Sequence, residues 1–381
     1  MVDTVYYWNK SKKSKTMKIL YISHNTDFAG SNKALLNMAK NMILRGHVVK
    51  IVIRDDRGPL YDMLKKDNIP FSECGIRPTT YCENKNPLIW LKRNVVMYIR
   101  NLKCRKELLD ICIAYKPDII HSNIGPMDAG IYAATKLGIP HVWHHREYTN
   151  AYPGTCFFPS FDRFLSLTKK SNNFNICITK GIFQNIKAQD KKDVVIYDGI
   201  FSERESHIIS YVKDDYILFV GRIEAGKGPL EIIKVFAKIV DKYPNLQLKL
   251  AGKYQENDIY YNECLNLTRD LNIENRVDFL GFRKDVDKLM SKAKLLVVNS
   301  VFEGFGFITA EAMLNYCPVV GRDTTGTKEQ FDTGLYYSGN EIAYRFLDQN
   351  SMYNAIMTCL NSNNSKMCEL ARKTVISHYS F

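Results

Sequence analysis

Three short stretches hold residue types able to do chemistry. The first, Gly221-Arg222-Ile223-Glu224-Ala225-Gly226-Lys227-Gly228-Pro229, directly follows an apolar run. Its glycines permit close backbone approach, and Pro229 suits the first turn of a helix. Arg222 brings a planar fork of donors and Lys227 a mobile point charge, a combination suited to a diphosphate. The GxxxxGK[ST] spacing of a Walker loop is missing, and a glycine-rich turn with two solvated cations explains the same residues.

The second stretch is Glu303-Gly304-Phe305-Gly306-Phe307-Ile308-Thr309-Ala310-Glu311. Gly304 and Gly306 predict a tight loop, and Phe307 to Asn315 follows a helical pattern. Unpaired amides at that helix start would hold an anion. A lone phosphate would not want two carboxylates beside it, whereas a nucleotide sugar offers ribose and sugar hydroxyls that donate to them. Acidic residues placed for the helix dipole would account for Glu303 and Glu311 but not for the glycines. The third stretch is Trp143-His144-His145-Arg146-Glu147-Tyr148, at the end of a strand. Adjacent histidines there point in different directions and no third ligand has clear spacing, so no metal is expected. An imidazole in this place bonds a substrate hydroxyl or packs at the sheet edge, and spacing alone leaves both open.

Periodicity supplies the elements that must position these loops. Lys18–Ser23 is an apolar run; Ala34, Leu35, Met38, Ala39, Met42 and Ile43 then recur on one helix face, and Gly46 ends that helix before a strand at Val48–Ile53. This βαβ pattern recurs, with strands at Asp118–His121, Pro140–Trp143, Asn175–Thr179 and Val194–Tyr197 and a helix at Met127–Leu137. After an aperiodic stretch it restarts at Tyr216–Val220, with a helix from Pro229 to about Lys242. Strands follow at Leu246–Ala251, Val277–Leu280, Leu295–Asn299 and Pro318–Val320. The expected fold class is α/β, with two Rossmann-like domains facing a cleft. The expected division is a basic extension at 1–16, a first domain at 17–198, a linker at 199–214 and a second domain at 215–381. Ligands of such sheets sit beyond the carboxyl ends of the strands, where the three stretches fall.

Composition narrows the function classes. A chain of 381 residues with 45% hydrophobic and 24% charged residues is globular and fits about two domains. No run reaches the ~18–20 apolar residues of a membrane span, and residues 1–16 lack the apolar core of a secretory signal. Ten scattered cysteines without a CxxC pair read as reduced, buried thiols of a cytosolic protein. The net charge of +13 suits nucleic acid, an anionic membrane or a phosphorylated substrate, and alone chooses none of them.

Taken in order, these motifs resemble the retaining glycosyltransferases of family 4, which have the GT-B fold. The likeness covers nearly everything from Met17 onward: Ala29-Gly30-Ser31, Val195-Ile196-Tyr197-Asp198-Gly199-Ile200, Val220-Gly221-Arg222 with Lys227-Gly228, Pro318-Val319-Val320 and Gly326-Thr327-Lys328-Glu329. Its most specific element is the glutamate pair with seven residues between, Glu303 and Glu311. The resemblance implies that Arg222 and Lys227 stabilise the departing nucleotide diphosphate and that Glu311 holds the ribose hydroxyls. Glu303 would contact the donor sugar. Amides around Phe305, Gly306, Phe307 and Ile308 would touch the diphosphate or sugar. His144, with His145 as the reserve, would touch the transferred sugar, and Gly30 would line the donor and acceptor side. No metal or other cofactor is implied beyond the donor substrate, a nucleotide diphosphate sugar. The sequence departs from the family pattern at residues 1–16, which precede the usual start. It also ends at Phe381, where members commonly continue into a helix crossing back to the first domain.

The expected reaction is transfer of a sugar to a hydroxyl acceptor with retention, in cell-surface polysaccharide or glycolipid assembly. A sugar-phosphate synthase or phosphorylase of the same fold is the alternative enzyme. A basic nucleic-acid-binding protein is the alternative outside enzymes, but cations do not alternate with aromatics on one face, so no nucleic-acid partner is expected. Expected partners are the nucleotide-sugar donor and a glycan or lipid-linked acceptor. An anionic membrane surface joins them through residues 87–109, PLIWLKRNVVMYIRNLKCRKELL, where Lys92, Arg93, Arg100, Lys103, Arg105 and Lys106 flank apolar residues. Two readings of this segment stand: a surface-bound amphipathic helix, or an ordinary helix with its stripe packed on the sheet and its cations solvated. The first would bring a cytoplasmic enzyme to the inner face of the cell membrane.

Overall fold

A computed structural model describes residues 15–27, 30–82, 86–150, 155–157, 160–189, 191–200 and 209–380. Residues 1–14 of the basic extension, Ala29 and residues 201–208 of the expected linker lie outside the described residues. In chain order the first elements are β1 (Lys18–Ile22), α1 (Gly30–Leu44), β2 (Val48–Ile53), α2 (Pro59–Lys66), β3 (Phe71–Glu73), β4 (Thr80–Cys82), α3 (Pro87–Tyr115), β5 (Ile119–Ser122), α4 (Ala129–Leu137), β6 (His141–His145), β7 (Thr155–Phe157), α5 (Phe161–Thr168), β8 (Asn173–Cys177), α6 (Lys180–Asn185) and β9 (Val194–Val195). There follow β10 (Tyr216–Val220), α7 (Pro229–Ala237), β11 (Gln247–Ala251), α8 (Ile259–Asp270), β12 (Val277–Gly281), α9 (Val286–Lys292), β13 (Leu295–Val298), α10 (Phe307–Leu314), β14 (Val319–Arg322), α11 (Thr325–Ser338), β15 (Tyr344–Phe346), α12 (Gln349–Leu360) and α13 (Ser365–His378).

The strands form a seven-stranded sheet in the order β3-β2-β1-β5-β6-β8-β9, a six-stranded sheet in the order β12-β11-β10-β13-β14-β15, and the small pair β4-β7. Neighbours β1 and β2, β1 and β5, and β10 with both β11 and β13 run parallel, whereas β4 and β7 are antiparallel. By compactness the chain divides into two units, residues 1–144 with 153–175 and residues 145–152 with 176–381. Fold class is therefore α/β, as the recurring βαβ pattern predicts. The expected helix from Pro229 ends sooner, at Ala237, and a separate 3-10 turn covers Val240–Lys242.

Strand alternation builds the core of the first unit. Ile19, Tyr21, Ile51 and Ile53 pack against Leu35, Leu36 and Ala39 of α1 and Leu60 and Leu64 of α2. Leu20, Ile22, Val52 and Ile120 point to the other face, against Cys104, Leu108 and Cys112 of α3 and Ala129, Ala133 and Ala134 of α4. In the second unit Ile217, Phe219, Leu248, Leu250, Leu295, Val297 and Val320 pack with Ile232, Ile233 and Phe236 of α7 and Met352, Ile356 and Cys359 of α12. Each large aliphatic buried in these cores contributes about 1.5–3 kcal/mol, which fixes the strands and so the loops at their carboxyl ends.

The 29 residues of α3 divide in two. Its second half docks through Cys104, Leu108 and Cys112. Its first half turns Asn94 and Asn101 inward, both buried, and leaves its apolar stripe outside. The expected packing of that stripe on the sheet is thus absent at Leu88, Leu91, Val95, Ile99 and Leu102, which are 77, 50, 44, 59 and 43% exposed. Among the described residues no helix is long and apolar enough to cross a membrane.

Candidate active site

In the second unit the first loop leaves β10. The Gly221 amide donates to the Ala251 carbonyl at 3.0 Å, and the loops after β10 and β11 touch so closely that a Cβ on Gly252 would lie 1.7 Å from the Gly221 oxygen. The Arg222 side chain is 70% exposed, with one guanidinium nitrogen 3.0 Å from Glu224. A 3-10 turn at Ala225–Lys227 then leads through Gly228, at φ +66°, to Pro229 as the first residue of α7. Lys227 Nζ lies 2.6 Å from Glu303 Oε1, with side chains 26% and 21% exposed. The loop therefore hands its lysine to the second candidate stretch.

That stretch is held by residues at the ends of β13 and β14 and on α11. Asn299, just past β13, donates from Nδ2 to the Gly228 carbonyl at 2.9 Å. Its Oδ1 accepts from Arg322 Nε and Nη2 at 3.1 and 2.9 Å. One buried amide thus ties together the ends of β13 and β14 and the start of α7. The Glu303 amide donates to Thr325 Oγ1 at 3.0 Å, and its carbonyl accepts from the Gly326 amide at 3.0 Å, so the glutamate is aimed by its backbone. Gly326 must be glycine, because a Cβ would sit 2.6 Å from the Phe305 oxygen and 2.8 Å from that of Glu303. Gln330 Nε2 donates to the carbonyls of Phe305 and Gly306 at 2.6 and 3.0 Å.

Gly306, at φ +90°, opens α10 without a side-chain cap and with no acidic residue in its first turn. The leading amides of Phe307 and Ile308 precede the helical ladder and carry the positive end of its dipole. Thr309 Oγ1 and Thr327 Oγ1 are both buried without a protein partner, and each lies 3.5 Å from where a Gly306 Cβ would be. Glu311 stands half-buried one turn further into the helix. Lys227, the open helix start and the unpartnered hydroxyls can hold an anionic, hydroxyl-bearing ligand; Glu303 and Glu311 can accept from its hydroxyls.

The remaining candidates stand elsewhere. Gly30 is the first residue of α1, in the first unit. Two residues further on, Asn32 Nδ2 donates to Asn25 Oδ1 and to the Asp27 carbonyl, each at 2.6 Å, and Ser23 Oγ lies 2.7 Å from Asn32 Oδ1. His144, in β6, is buried with Nδ1 3.3 Å from His121 Nε2, and the His121 ring centroid is 4.9 Å from that of Tyr21. His145 points the other way, is fully buried, and its carbonyl accepts from the Ile178 amide at 3.2 Å. Among the described residues no group of three His, Cys, Asp or Glu could hold a metal ion.

Reading the sequence missed several residues. Asn299, Arg322, Thr325 and Gln330 position the loops from distant segments, and only Asn299 carried a signal, as a polar residue ending an apolar strand. His121 ends the same kind of strand. Arg146, buried, pairs with Asp198, and its carbonyl lies where a Gly304 Cβ would come within 2.1 Å. Glu329 accepts from the Lys180 and Gly181 amides at 2.7 and 3.1 Å and from the Tyr197 hydroxyl at 2.8 Å. Burial, then the Glu329 carboxylate, raises the Tyr197 pKa and keeps the phenol protonated.

Residues 202–374 match the family described as glycosyl transferases group 1. A Campylobacter jejuni relative, N-acetylgalactosamine-N,N'-diacetylbacillosaminyl-diphospho-undecaprenol 4-alpha-N-acetylgalactosaminyltransferase, is 29% identical over 187 residues, 48% of each chain. A trehalose synthase of Thermococcus litoralis is 31% identical over 121 residues, 30% of this chain and 29% of that one. The chain thus spans about half, or less, of the length of these curated relatives. Among solved structures, Anabaena HepE in complex with UDP and glucose superposes with a TM-score of 0.74 at 19% identity over 96% of both chains. The chain has the GT-B fold, and its residues 202–374 match the group 1 glycosyl transferases.

Proposed function

We propose that the protein transfers a sugar from a nucleotide diphosphate sugar to a hydroxyl acceptor, with retention of anomeric configuration. One observation carries this reading: Lys227 meets Glu303 at 2.6 Å on the loop that opens the uncapped start of α10. A carboxylate for sugar hydroxyls and cationic groups for a leaving diphosphate are what breaking the donor bond requires. In this reading Lys227, Arg222 and the amides of Phe307 and Ile308 stabilise the departing diphosphate. Glu303 and His144 hold the transferred sugar, with His145 in reserve. Glu311 takes the ribose hydroxyls, and Gly30 leaves room beside the acceptor. No metal takes part. The UDP and glucose named with HepE support a nucleotide-sugar donor. The diphospho-undecaprenol in the Campylobacter enzyme's name supports a lipid-linked acceptor in surface glycan assembly. The exposed stripe and cations of α3 support work at the inner face of a cell membrane.

Thermal unfolding with UDP-, GDP- and ADP-sugars tests the donor claim. The true donor at a hundredfold excess over its Kd adds about 2.7 kcal/mol of stability. Absence of protection by every nucleotide sugar, together with no transfer, would overturn the reading. The trehalose synthase likeness favours one rival, transfer to or from a sugar phosphate, which product analysis with free sugars and sugar phosphates separates.

A further inference from the structure

Two cysteines from distant segments meet inside the first unit. Cys74 directly follows β3, its amide donating to the Ile53 carbonyl at 2.9 Å, and Cys104 begins the docked half of α3. The residues are 30 positions apart in the chain, yet their sulfurs lie 3.8 Å from each other and both side chains are buried. A disulfide bond is about 2.05 Å long, so the sulfurs must close by about 1.8 Å, a distance that χ1 rotations cover.

The two thiols are not equivalent. Cys74 Sγ faces three acceptors: Cys104 Sγ, the Cys104 carbonyl at 3.6 Å and Glu107 Oε2 at 3.8 Å. Its hydrogen bond to Cys104, then burial, raises its pKa, so Cys74 keeps its proton. Cys104 shifts the other way. The Cys74 hydrogen bond and one from the Arg77 amide hold it below the usual thiol value, against burial and the charges of Glu107 and Asp128. Burial pushes the thiols of Cys112, Cys177, Cys264, Cys317 and Cys368 up to about 12, which leaves them inert. The cover over the pair is thin. Glu107, 41% exposed, has Oε1 3.7 Å from Lys103 Nζ while its other oxygen reaches Cys74, so one carboxylate spans from solvent to thiol. Gly75 beside it is exposed and has no side chain to close the gap. A Cβ there would meet only Glu107 Oε2, at 4.0 Å.

We propose that Cys74 and Cys104 are a redox modification site, oxidised to a disulfide by a small hydroperoxide, that staples the end of β3 to α3. The Cys104 thiolate attacks one peroxide oxygen and the O–O bond breaks. Its sulfur becomes a sulfenic acid, and the departing hydroxide takes up a proton as water. Cys74 then gives its proton to Glu107 while its sulfur displaces the hydroxyl from Cys104, which leaves with that proton as a second water. Two thiols and one hydrogen peroxide thus yield one disulfide and two waters: the sulfurs lose two electrons and the peroxide gains them. In a reducing compartment the pair rests as thiols, and a dithiol restores it.

The full-length protein is treated with hydrogen peroxide, its remaining thiols are blocked with N-ethylmaleimide in denaturant, and its peptides are read by mass spectrometry. A crosslinked pair joining Cys74 to Cys104 should appear and should vanish after dithiothreitol. Glu107→Gln should slow the crosslink by about tenfold or more and let dimedone trap a sulfenic acid at Cys104. In the crosslinked protein, amides of the second half of α3 that exchange only through opening of the unit should slow by about 100-fold. Recovery of Cys74 and Cys104 as free thiols, while the partly exposed Cys156 is oxidised, would overturn the site, and this reading needs no variant to fold. Dimedone found on Cys74 instead of Cys104 would overturn the order of attack. A crosslink with unchanged amide exchange would overturn the stapling and leave the modification site standing.

Discussion

In both units an inner strand of a parallel sheet leads into a polar loop, yet the two loops are built for different guests. After β10 come three glycines, Arg222 and Lys227, with Asn299 and Arg322 bracing the turn at 2.9 to 3.1 Å. After β1, residues 23–31 contain no lysine or arginine; Ser23, Asn25 and Asn32 knit the loop through side-chain amides and a hydroxyl. An α/β frame with loops at strand ends is indifferent to ligand charge. Charge enters with the loops, so the loop after β10 suits an anionic ligand and the loop after β1 a neutral, hydroxyl-bearing one.

The largest effect should follow from removing the charged pair. Glu303→Ala or Lys227→Ala should lower kcat by about 100-fold or more, the scale of losing one electrostatic contact to a transition state. Stability should fall by only about 0.5–1 kcal/mol, since the pair keeps contact with solvent. Steady-state turnover beside urea unfolding gives both numbers. Near-normal turnover in either variant would remove the second unit's claim to the chemistry.

A pair of glycine replacements sharpens the comparison. An alanine at Gly252 would put its Cβ 1.7 Å from the Gly221 oxygen; at Gly130 it would come 2.3 Å from Ser122 Oγ and 2.8 Å from His141 Nε2. Each should cost about 1–3 kcal/mol of overpacking. Donor-induced thermal protection should shrink only for Gly252→Ala, whose clash displaces the loop carrying Arg222 and Lys227. Equal loss of protection in both variants would mean that the protection does not depend on the loop after β10.

Much of this architecture is legible in the sequence, and what escapes does so for physical reasons. Val48–Ile53 and Tyr216–Val220 are apolar runs long enough to stand out, and the structure gives those strands the same bounds. Phe71–Glu73, Thr80–Cys82, Thr155–Phe157 and Tyr344–Phe346 are three residues each, too short for a period to show. Phe307 to Asn315 reads as helix, and α10 runs Phe307–Leu314 with Asn315 as its cap. In α3 the amphipathic pattern is visible, but not that Asn94 and Asn101 face inward, because direction depends on the neighbours. Glu303, Gly306 and Glu311 announce themselves by spacing within one segment. Arg322 and Gln330 join the site only through tertiary contact, so no local pattern marks them.

Asn299 supplies a smaller effect. Asn299→Ala leaves the Arg322 guanidinium and the Gly228 carbonyl without their shared partner, at a cost of about 1–3 kcal/mol in stability. As a positioning residue it should raise KM for the donor about tenfold with kcat little changed. A fall in kcat alone would instead make Asn299 a direct participant.

The smallest effect belongs to the first unit and is read in pH. His24 lies in the loop after β1, where burial first and the Arg54 charge second lower its pKa to about 4, against Asp27, which raises it. The folded protein therefore keeps this imidazole neutral down to about pH 4, whereas the unfolded chain protonates it near 6.5. Between those values the unfolded state binds more protons, so stability conferred above pH 6.5 is lost as the pH falls toward 4. Because the side chain is only half-buried, the loss at this residue should be about 1–2 kcal/mol. Urea unfolding at pH 7 and pH 4.5 measures it, and His24→Gln should flatten the difference by that amount. The loop after β10 has no histidine, so Lys227→Ala should leave the acid-side slope unchanged. A slope that survives in His24→Gln would place the acid sensitivity outside the β1 loop.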